Sequence, residues 1–106
     1  MDAALKAIAE PRRREILRLV WDGEISSGEI AAHFDVSGPA VSQHLKVLRE
    51  AGLVNERREG TRHLFSANRQ VLLELRDFLA WMWDGGLVDL KEAAEGETRR
   101  RARRGR

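Results

Sequence analysis

The fold is decided by residues 37–54, which read SGPAVSQHLKVLREAGLV. Ser37 is a typical helix N-cap residue, and Pro39 has the fixed φ that suits a first helical turn. Apolar side chains then recur at helical spacing and predict one buried face, at Val41, Leu45 and Leu48. Gly52 is the usual residue just beyond a helix C-terminus. The stretch therefore predicts an amphipathic helix over residues 37–50 with a polar outer face.

A short helix precedes this one, and the two together predict a helix–turn–helix. Residues 26–29, Ser-Ser-Gly-Glu, contain a Ser-x-x-Glu capping box, which marks a helix start. The apolar residues that follow extend this helix to about residue 34, and a three-residue turn that ends at the N-cap Ser37 joins it to the second helix. Upstream, residues 3–9 predict a short helix, and a second one begins at Pro11.

The sequence pattern changes its period after these helices. Residues 53–58 and 62–66 are rich in extended-chain formers and flank Glu59-Gly60-Thr61, which predicts a β-hairpin. A long amphipathic helix resumes at Asn68. The order helix, helix, helix–turn–helix, hairpin, long helix predicts a mainly α fold with a small β-hairpin, the winged helix–turn–helix.

The basic character of the chain lies in its tail. The 106 residues carry a net charge of +2 and a pI near 9.7, yet six of the 19 basic residues fall in residues 99–106. Residues 1–98 hold all 17 acids against 13 Lys and Arg, which makes a body charge of −4. We expect one winged-helix domain over residues 1–97 and a disordered arginine-rich tail over residues 98–106. A nucleic-acid site must therefore rest on local charge in the body.

What the chain lacks excludes several classes of protein. It has no cysteine, which excludes a disulfide framework, a zinc–cysteine finger and thiol redox chemistry. No apolar run approaches the roughly 20 residues of a membrane-spanning helix, and the N-terminus lacks the features of a signal peptide. Neither a Gly-rich phosphate loop nor a His–carboxylate pair beside a serine is present. We predict no enzyme, no cofactor and no membrane partner, and expect a cytoplasmic protein.

The outer face of the helix at 37–50 predicts DNA reading. Glutamine bonds adenine bidentately, serine bonds several bases, and alanine packs on a thymine methyl group. We predict that four residues contact bases: Pro39, Ala40, Ser42 and Gln43. We predict that seven residues contact phosphates from the helix or the hairpin wing: Ser37, His44, Lys46, Arg57, Arg58, Thr61 and Arg62. Arg58 and Arg62, beside the hairpin tip, are the best candidates on the wing.

Each of these assignments has a simpler alternative. Any amphipathic surface helix has a polar outer face, and a charged hairpin edge also prevents aggregation. His44 fits a hydrogen bond inside the domain as well as one to DNA. The alternative function is a winged helix used only for protein–protein contact. Such a module would carry apolar or acidic residues where Ser42, Gln43 and Lys46 stand.

The last helix carries more apolar surface than a small core can hide, which predicts a homodimer. The predicted interface also includes the first helix, and comprises Leu5, Ile8, Leu72, Leu75, Phe78, Leu79, Met82 and Trp83. A two-fold dimer would present two recognition helices to successive major grooves. The alternative is that this apolar face packs only within its own domain.

Two stretches carry a family resemblance. They are LKAIAEPRRREIL at residues 5–17 and PAVSQHLKVL at residues 39–48, the second followed by AGLV. Over residues 3–84 the chain resembles the ArsR family of bacterial transcriptional repressors. The resemblance implies a winged-helix homodimer that pairs its first and last helices, binds a pseudo-palindromic operator near its own promoter, and leaves DNA when an inducer binds. It also implies that residues 41–45 form the centre of the DNA-reading helix and that the hairpin is the wing.

The chain departs from the best-known ArsR members in its sensor. They bind metals or arsenite through a Cys-x-Cys box, and the matching segment here, residues 24–30, has no cysteine. Residues 68–97 contain no histidine, so the family's Asp and His site on the last helix is absent too. We therefore predict that no metal is bound. An inducer of unknown identity is left open, because residues 81–83, Trp-Met-Trp, could line an apolar pocket.

Together these features predict a homodimeric repressor whose partner is a double-stranded DNA operator. The helix at 37–50 would read the major groove, and the hairpin at 53–66 would contact the backbone or the minor groove. We expect it in the bacterial cytoplasm, and at the nucleoid when it is bound to DNA.

Overall fold

A computed structural model describes residues 1–86 of the chain. The elements follow in the order α1 (Asp2–Ile8), α2 (Pro11–Leu19), β1 (Ile25–Ser26), α3 (Ser27–Ala31), α4 (Gly38–Glu50), β2 (Val54–Glu59), β3 (Arg62–Ala67) and α5 (Arg69–Trp81), and a π-helical turn covers Met82–Gly86. The winged helix–turn–helix class is confirmed. The predicted boundary at residue 97 and the predicted disordered tail at 98–106 lie outside the described residues.

Side-chain caps mark three helix starts, of which Ser26 and Ser37 were predicted and Glu10 was not. The Glu10 side chain accepts a hydrogen bond from the Arg13 N–H at 3.1 Å, with Pro11 at the first helical position of α2. The Ser26 hydroxyl accepts from the Glu29 N–H at 3.2 Å, and the Ser37 hydroxyl accepts from the Ala40 N–H at 3.3 Å. These side chains satisfy N–H groups that have no partner within the helix, which fixes where α2, α3 and α4 begin.

The connection inside the helix–turn–helix is longer than we predicted. Helix α3 ends at Ala31, so six residues, 32–37, separate it from α4, and the predicted three-residue turn is wrong. The His33 N–H bonds the Ile30 carbonyl and the Phe34 N–H bonds the Ala31 carbonyl, each at 3.1 Å. Both bonds span three residues rather than four, so the chain forms a 3₁₀-type turn here and the α-helix does not continue to residue 34.

The sheet has three strands in the order β1-β3-β2. The predicted hairpin is confirmed, with Glu59 opposite Arg62 and only Gly60 and Thr61 between them. Gly60 has φ +62 and Thr61 does not have a positive φ, which is the pattern of a type II′ hairpin turn. Strand β1 was not predicted. Its two residues pair antiparallel with β3, and the second of them, Ser26, is also the N-cap of α3. Two residues are too few to show an alternating pattern.

The chain divides into two compact units after Leu73. In the first unit the largest fully buried side chains are Ile16, Val20, Ile30, Leu48 and Leu53. The predicted inner face of α4 is confirmed, since Val41, Leu45 and Leu48 are at most 3% exposed. This burial fixes the rotation of α4 about its axis and turns its opposite face outward.

The second unit begins at Glu74, within α5, and is described as far as Gly86. Leu75 is 4% exposed, whereas Trp81 and Trp83 are 62% and 71% exposed. The rings of Phe78 and Trp81 lie 6.0 Å apart between centroids, tilted by 32°. Among residues 1–86 no helix is both long and apolar enough to cross a membrane.

Candidate nucleic-acid interface

The outward face of α4 presents the predicted base-reading residues. Pro39, Ser42 and Gln43 are exposed, and Ala40 is half-buried in the first turn of the helix. Lys46 is exposed on the same face and its Nζ lies 4.0 Å from the Glu50 carboxylate, a loose pair at helical i,i+4 spacing. Since the opposite face is locked into the core, these polar side chains have no competing role in packing.

His44 is held inside the domain. Its Nδ1 lies 3.4 Å from Arg13 Nη1 and 4.0 Å from Glu10 Oε2, and its side chain is mostly buried. Because a guanidinium only donates, this contact requires an unprotonated Nδ1. Arg13 also donates to the Ala7 carbonyl at 2.7 Å and the Lys6 carbonyl at 3.1 Å, at the end of α1. The geometry favours the intradomain alternative for His44 over a phosphate contact.

The pKa of Glu10 reflects the same cluster. Desolvation raises it, but the hydrogen bonds from the backbone N–H groups of Arg13 and Arg12 favour the carboxylate and leave the pKa below its usual value. Glu10 is therefore an anion that caps α2 and faces α4. This link between α1, α2 and α4 had no local signal, because its members are up to 38 residues apart in sequence.

The strand register distributes the wing arginines over two faces. Arg57 pairs across the strands with Leu64 and Arg62 pairs with Glu59, and these two arginines lie on the same face of the hairpin. Arg58 pairs with His63 and lies on the other face. Thr61 is exposed at the tip. The two arginines singled out beside the tip, Arg58 and Arg62, therefore point to opposite sides of the hairpin.

Two of the wing arginines are engaged by carboxylates. Arg57 donates two hydrogen bonds to Glu24, from Nε to Oε2 at 2.9 Å and from Nη2 to Oε1 at 2.8 Å. Its Nη2 also donates to Glu59 Oε2 at 3.1 Å. Arg62 Nη2 donates to Glu29 Oε1 at 3.2 Å. The hydrogen bond from Arg57 lowers the pKa of Glu24, and Glu24 in turn raises the pKa of Arg57. Arg58 has no carboxylate partner within residues 1–86.

Glu56 joins the recognition helix to the wing. It lies on β2 and accepts from Arg49 on α4 and from His63 Nδ1 on β3, the latter at 2.7 Å. The hydrogen bonds from His63 and then Arg49 lower the pKa of Glu56. A cavity of about 310 Å³ opens between α4 and the hairpin beside this trio. No local sequence pattern marks Glu56, because its partner Arg49 is brought to it by the packing of α4 against β2 and His63 by the pairing of β2 with β3.

The predicted dimer residues differ in exposure. Leu79 is 41% exposed and Trp83 is 71% exposed, whereas Leu75 is only 4% exposed and offers almost no surface to a second chain. The remaining members are half-buried: Leu5, Ile8, Leu72, Phe78 and Met82. Four exposed large apolar residues were not in the predicted set: Met1, Trp21, Leu73 and Trp81. Trp21 is covered on one face by the Arg69 guanidinium, 5.3 Å from its ring centroid.

Within residues 1–86 no group of three or more His, Asp or Glu side chains is placed to hold a metal ion. His44 and His63 each lie beside a glutamate but on different elements, α4 and β3.

The chain is similar to bacterial transcription regulators. Residues 10–56 match the sequence profile described as "Bacterial regulatory protein, arsR family". The transcriptional repressor SdpR of Bacillus subtilis is 39% identical over 82 residues, which are 77% of this chain and 88% of that protein. The HTH-type transcriptional regulator Rv2034 of Mycobacterium tuberculosis is 38% identical over 96 residues, covering 91% and 90%. A crystal structure described as a possible transcriptional regulator for arsenical resistance superposes with a TM-score of 0.73 at 39% identity, covering 85% of this chain and 93% of that one.

Proposed function

The chain belongs to the arsR family of bacterial regulatory proteins and is a DNA-binding transcription regulator, and we propose that it represses as a homodimer bound to a pseudo-palindromic operator. In this proposal α4 enters the major groove and the β2–β3 wing lies on the phosphate backbone. The observation that carries it is the outward face of α4, where Ser42 and Gln43 are exposed on a helix locked by its buried face.

Base reading falls to the first turns of α4. Gln43 carries an amide that can bond both N6 and N7 of adenine, and Ser42 beside it can bond a base or a phosphate. Pro39 and Ala40 offer apolar contact to a thymine methyl group. Lys46 lies one turn further along and supplies a phosphate contact. A module that contacts only proteins would carry apolar or acidic residues at positions 42, 43 and 46, where this chain has Ser42, Gln43 and Lys46.

Phosphate binding by the wing is proposed for Arg57, Arg58, Thr61 and Arg62. Arg58 is the arginine available without breaking an ion pair inside residues 1–86, and it lies on the hairpin face that also carries Glu56. Ser37 contributes a hydroxyl at the start of α4, where the exposed end of a helix favours an anion.

The homodimer is supported by apolar side chains that the single chain leaves in solvent. In the second unit Leu79 and Trp83 are exposed and Phe78 and Met82 are half-buried; in the first unit Leu5, Ile8 and Leu72 are half-buried. We propose that each set contributes to the dimer interface, and we leave out the buried Leu75. A two-fold dimer would place its two α4 helices about one helical turn of DNA apart, roughly 34 Å. We propose that any release from DNA does not use a cysteine-based metal sensor, because the chain has no cysteine.

Selection of genomic fragments tests the proposal directly. The protein is mixed with sheared bacterial DNA at about 150 mM salt, a concentration at which purely electrostatic binding is weak, and bound fragments are sequenced. We expect a shared inverted repeat with half-sites about one helical turn apart. Gln43→Ala serves as the matched control and should fail to enrich that repeat. If wild-type and Gln43→Ala proteins retain the same unselected fragments, the proposed operator reading is wrong.

A further inference from the structure

The arginines on one face of the wing are already occupied by carboxylates. Arg57 is held by both oxygens of Glu24 in a fork–fork geometry, the arrangement that arginine also uses for phosphate. Arg62 is held by Glu29, whose side chain also accepts from the Ser26 hydroxyl at 2.9 Å. The donors that a DNA phosphate would use are therefore filled by side chains from the α2–β1 connection and from α3.

The charge on this face is negative rather than positive. Its two guanidiniums face three carboxylates, those of Glu24, Glu29 and Glu59. Each of these carboxylates is more than one-third exposed. A phosphate can therefore take the place of a carboxylate on the arginine, and water then solvates the released carboxylate. The same acids contribute to the charge of −4 on residues 1–98. A face of this kind neither attracts DNA from a distance nor binds phosphate without an exchange of partners.

We propose that Glu24 and Glu29 compete with DNA phosphate for Arg57 and Arg62, and so weaken binding to DNA of every sequence. The inference rests on the proposed function, in which the wing contacts the backbone. On unselected DNA the exchange is not compensated by base contacts, and the complex dissociates at physiological salt. On the operator the contacts from α4 retain the protein while the wing arginines change partners. The two carboxylates thus restrict stable occupancy to DNA that α4 can read.

The size of the effect follows from the exposure of the pairs. An exposed ion pair strengthens an interaction by about 1.5- to 5-fold, and the bidentate Arg57–Glu24 pair belongs at the upper end. Because a dimer has two wings, removal of Glu24 from both should tighten binding to unselected DNA by about 2- to 25-fold. The slope of log K against log salt should steepen by up to about one per wing, since each freed arginine adds to the charge that displaces counterions.

The test is a double-mutant cycle on a short duplex of mixed sequence. Fluorescence anisotropy of the labelled duplex is measured from about 50 to 200 mM salt. The proteins are wild type, Glu24→Gln, Arg57→Ala and the double variant. Glu15→Gln is the matched control, because Glu15 pairs with Arg18 on α2 at 2.8 Å and its loss removes the same charge without touching the wing. Thermal unfolding of each variant checks that the fold is retained.

We expect Glu24→Gln to bind more tightly than Glu15→Gln, and we expect this gain to vanish in the Arg57→Ala background. An equal gain from Glu24→Gln and Glu15→Gln would overturn the inference, because long-range charge would then explain it. A gain that persists without Arg57 would overturn it too. If Arg57→Ala binds as tightly as wild type while operator fragments are still selected, the wing contact and the inference fail together but the reading by α4 stands.

Glu29→Gln tests the second ion pair, Arg62–Glu29, independently. Glutamine also serves in a capping box, so α3 should keep its start while the charge facing Arg62 is lost. Tighter binding that depends on Arg62 supports the inference at this pair, and unchanged binding overturns it there.

Discussion

Replacement of Gln43 by alanine should destroy operator preference without harming the fold. The Gln43 side chain is exposed and makes no hydrogen bond within residues 1–86. Alanine is the best helix former, so the substitution in the interior of α4 should change the free energy of unfolding by no more than about 0.5 kcal/mol. Any loss of DNA binding would then belong to the interface itself.

The magnitude follows from the geometry of base recognition. A bidentate contact to one base contributes about 1–3 kcal/mol of discrimination, and a two-fold dimer makes it twice, for about 2–6 kcal/mol in all. At 1.4 kcal/mol per decade this corresponds to a loss of about 30-fold to about 10⁴-fold in operator affinity. Binding to a duplex without the operator should not change, because Gln43 carries no charge to contribute to counterion release.

The assay compares two labelled duplexes, one with the selected operator and one with the same bases scrambled, by anisotropy at fixed salt. Lys46→Ala is the contrasting variant on the same helix face. It should weaken binding to both duplexes about equally, since phosphate contacts carry no sequence information. If Gln43→Ala also loses affinity equally on both duplexes, the assignment of Gln43 as a base reader is wrong.

Three further predictions concern stability and assembly. Leu48→Ala should destabilise the fold by about 2–5 kcal/mol in chemical denaturation, because Leu48 is 0% exposed at the centre of the α4 packing; a loss below 1 kcal/mol would contradict its place in the core. Glu56→Gln should lower stability by about 0.5–1 kcal/mol at pH 7. Because the pKa of Glu56 is lowered in the folded state, that difference should be full above the ordinary value of 4.5 and disappear as the pH falls below it, in thermal melts across pH 3–7. Leu79→Glu should convert the proposed dimer to monomer in sedimentation velocity, whereas Arg76→Glu, at an exposed polar site in the same helix, should not.

Much of the fold could be predicted because its signals are local. Ser26 and Ser37 cap helices through N–H groups only three residues away, and Gly60 permits the positive φ that its hairpin turn requires. Such features depend on the chemistry of neighbouring residues, so they can be read from a short window of sequence. Strand β1 escaped prediction because a two-residue strand is defined by its partner β3, not by its own pattern.

Part of the candidate site was also predictable, because the position of its residues on α4 depends on neighbouring residues in the sequence. The exposed face of α4 follows from the spacing of Val41, Leu45 and Leu48, so Ser42 and Gln43 could be named without a structure. The ion pairs of the wing arginines could not be predicted from the sequence. Arg57 and Glu24 are 33 residues apart, as are Arg62 and Glu29, and their pairing depends on the β1–β3 register and on where α3 begins.

The features that can be read from the amino-acid sequence are the periodic apolar faces, the caps, the absent cysteines and the arginines of one hairpin. These are properties of composition and of contacts over three or four residues, which the chain carries before it folds. How these residues are brought together depends on the packing of the folded chain. It joined Glu56 to α4, placed His44 against Arg13, and set carboxylates on Arg57 and Arg62. Charge acts through distance in space, and that distance is set by the packing of distant segments.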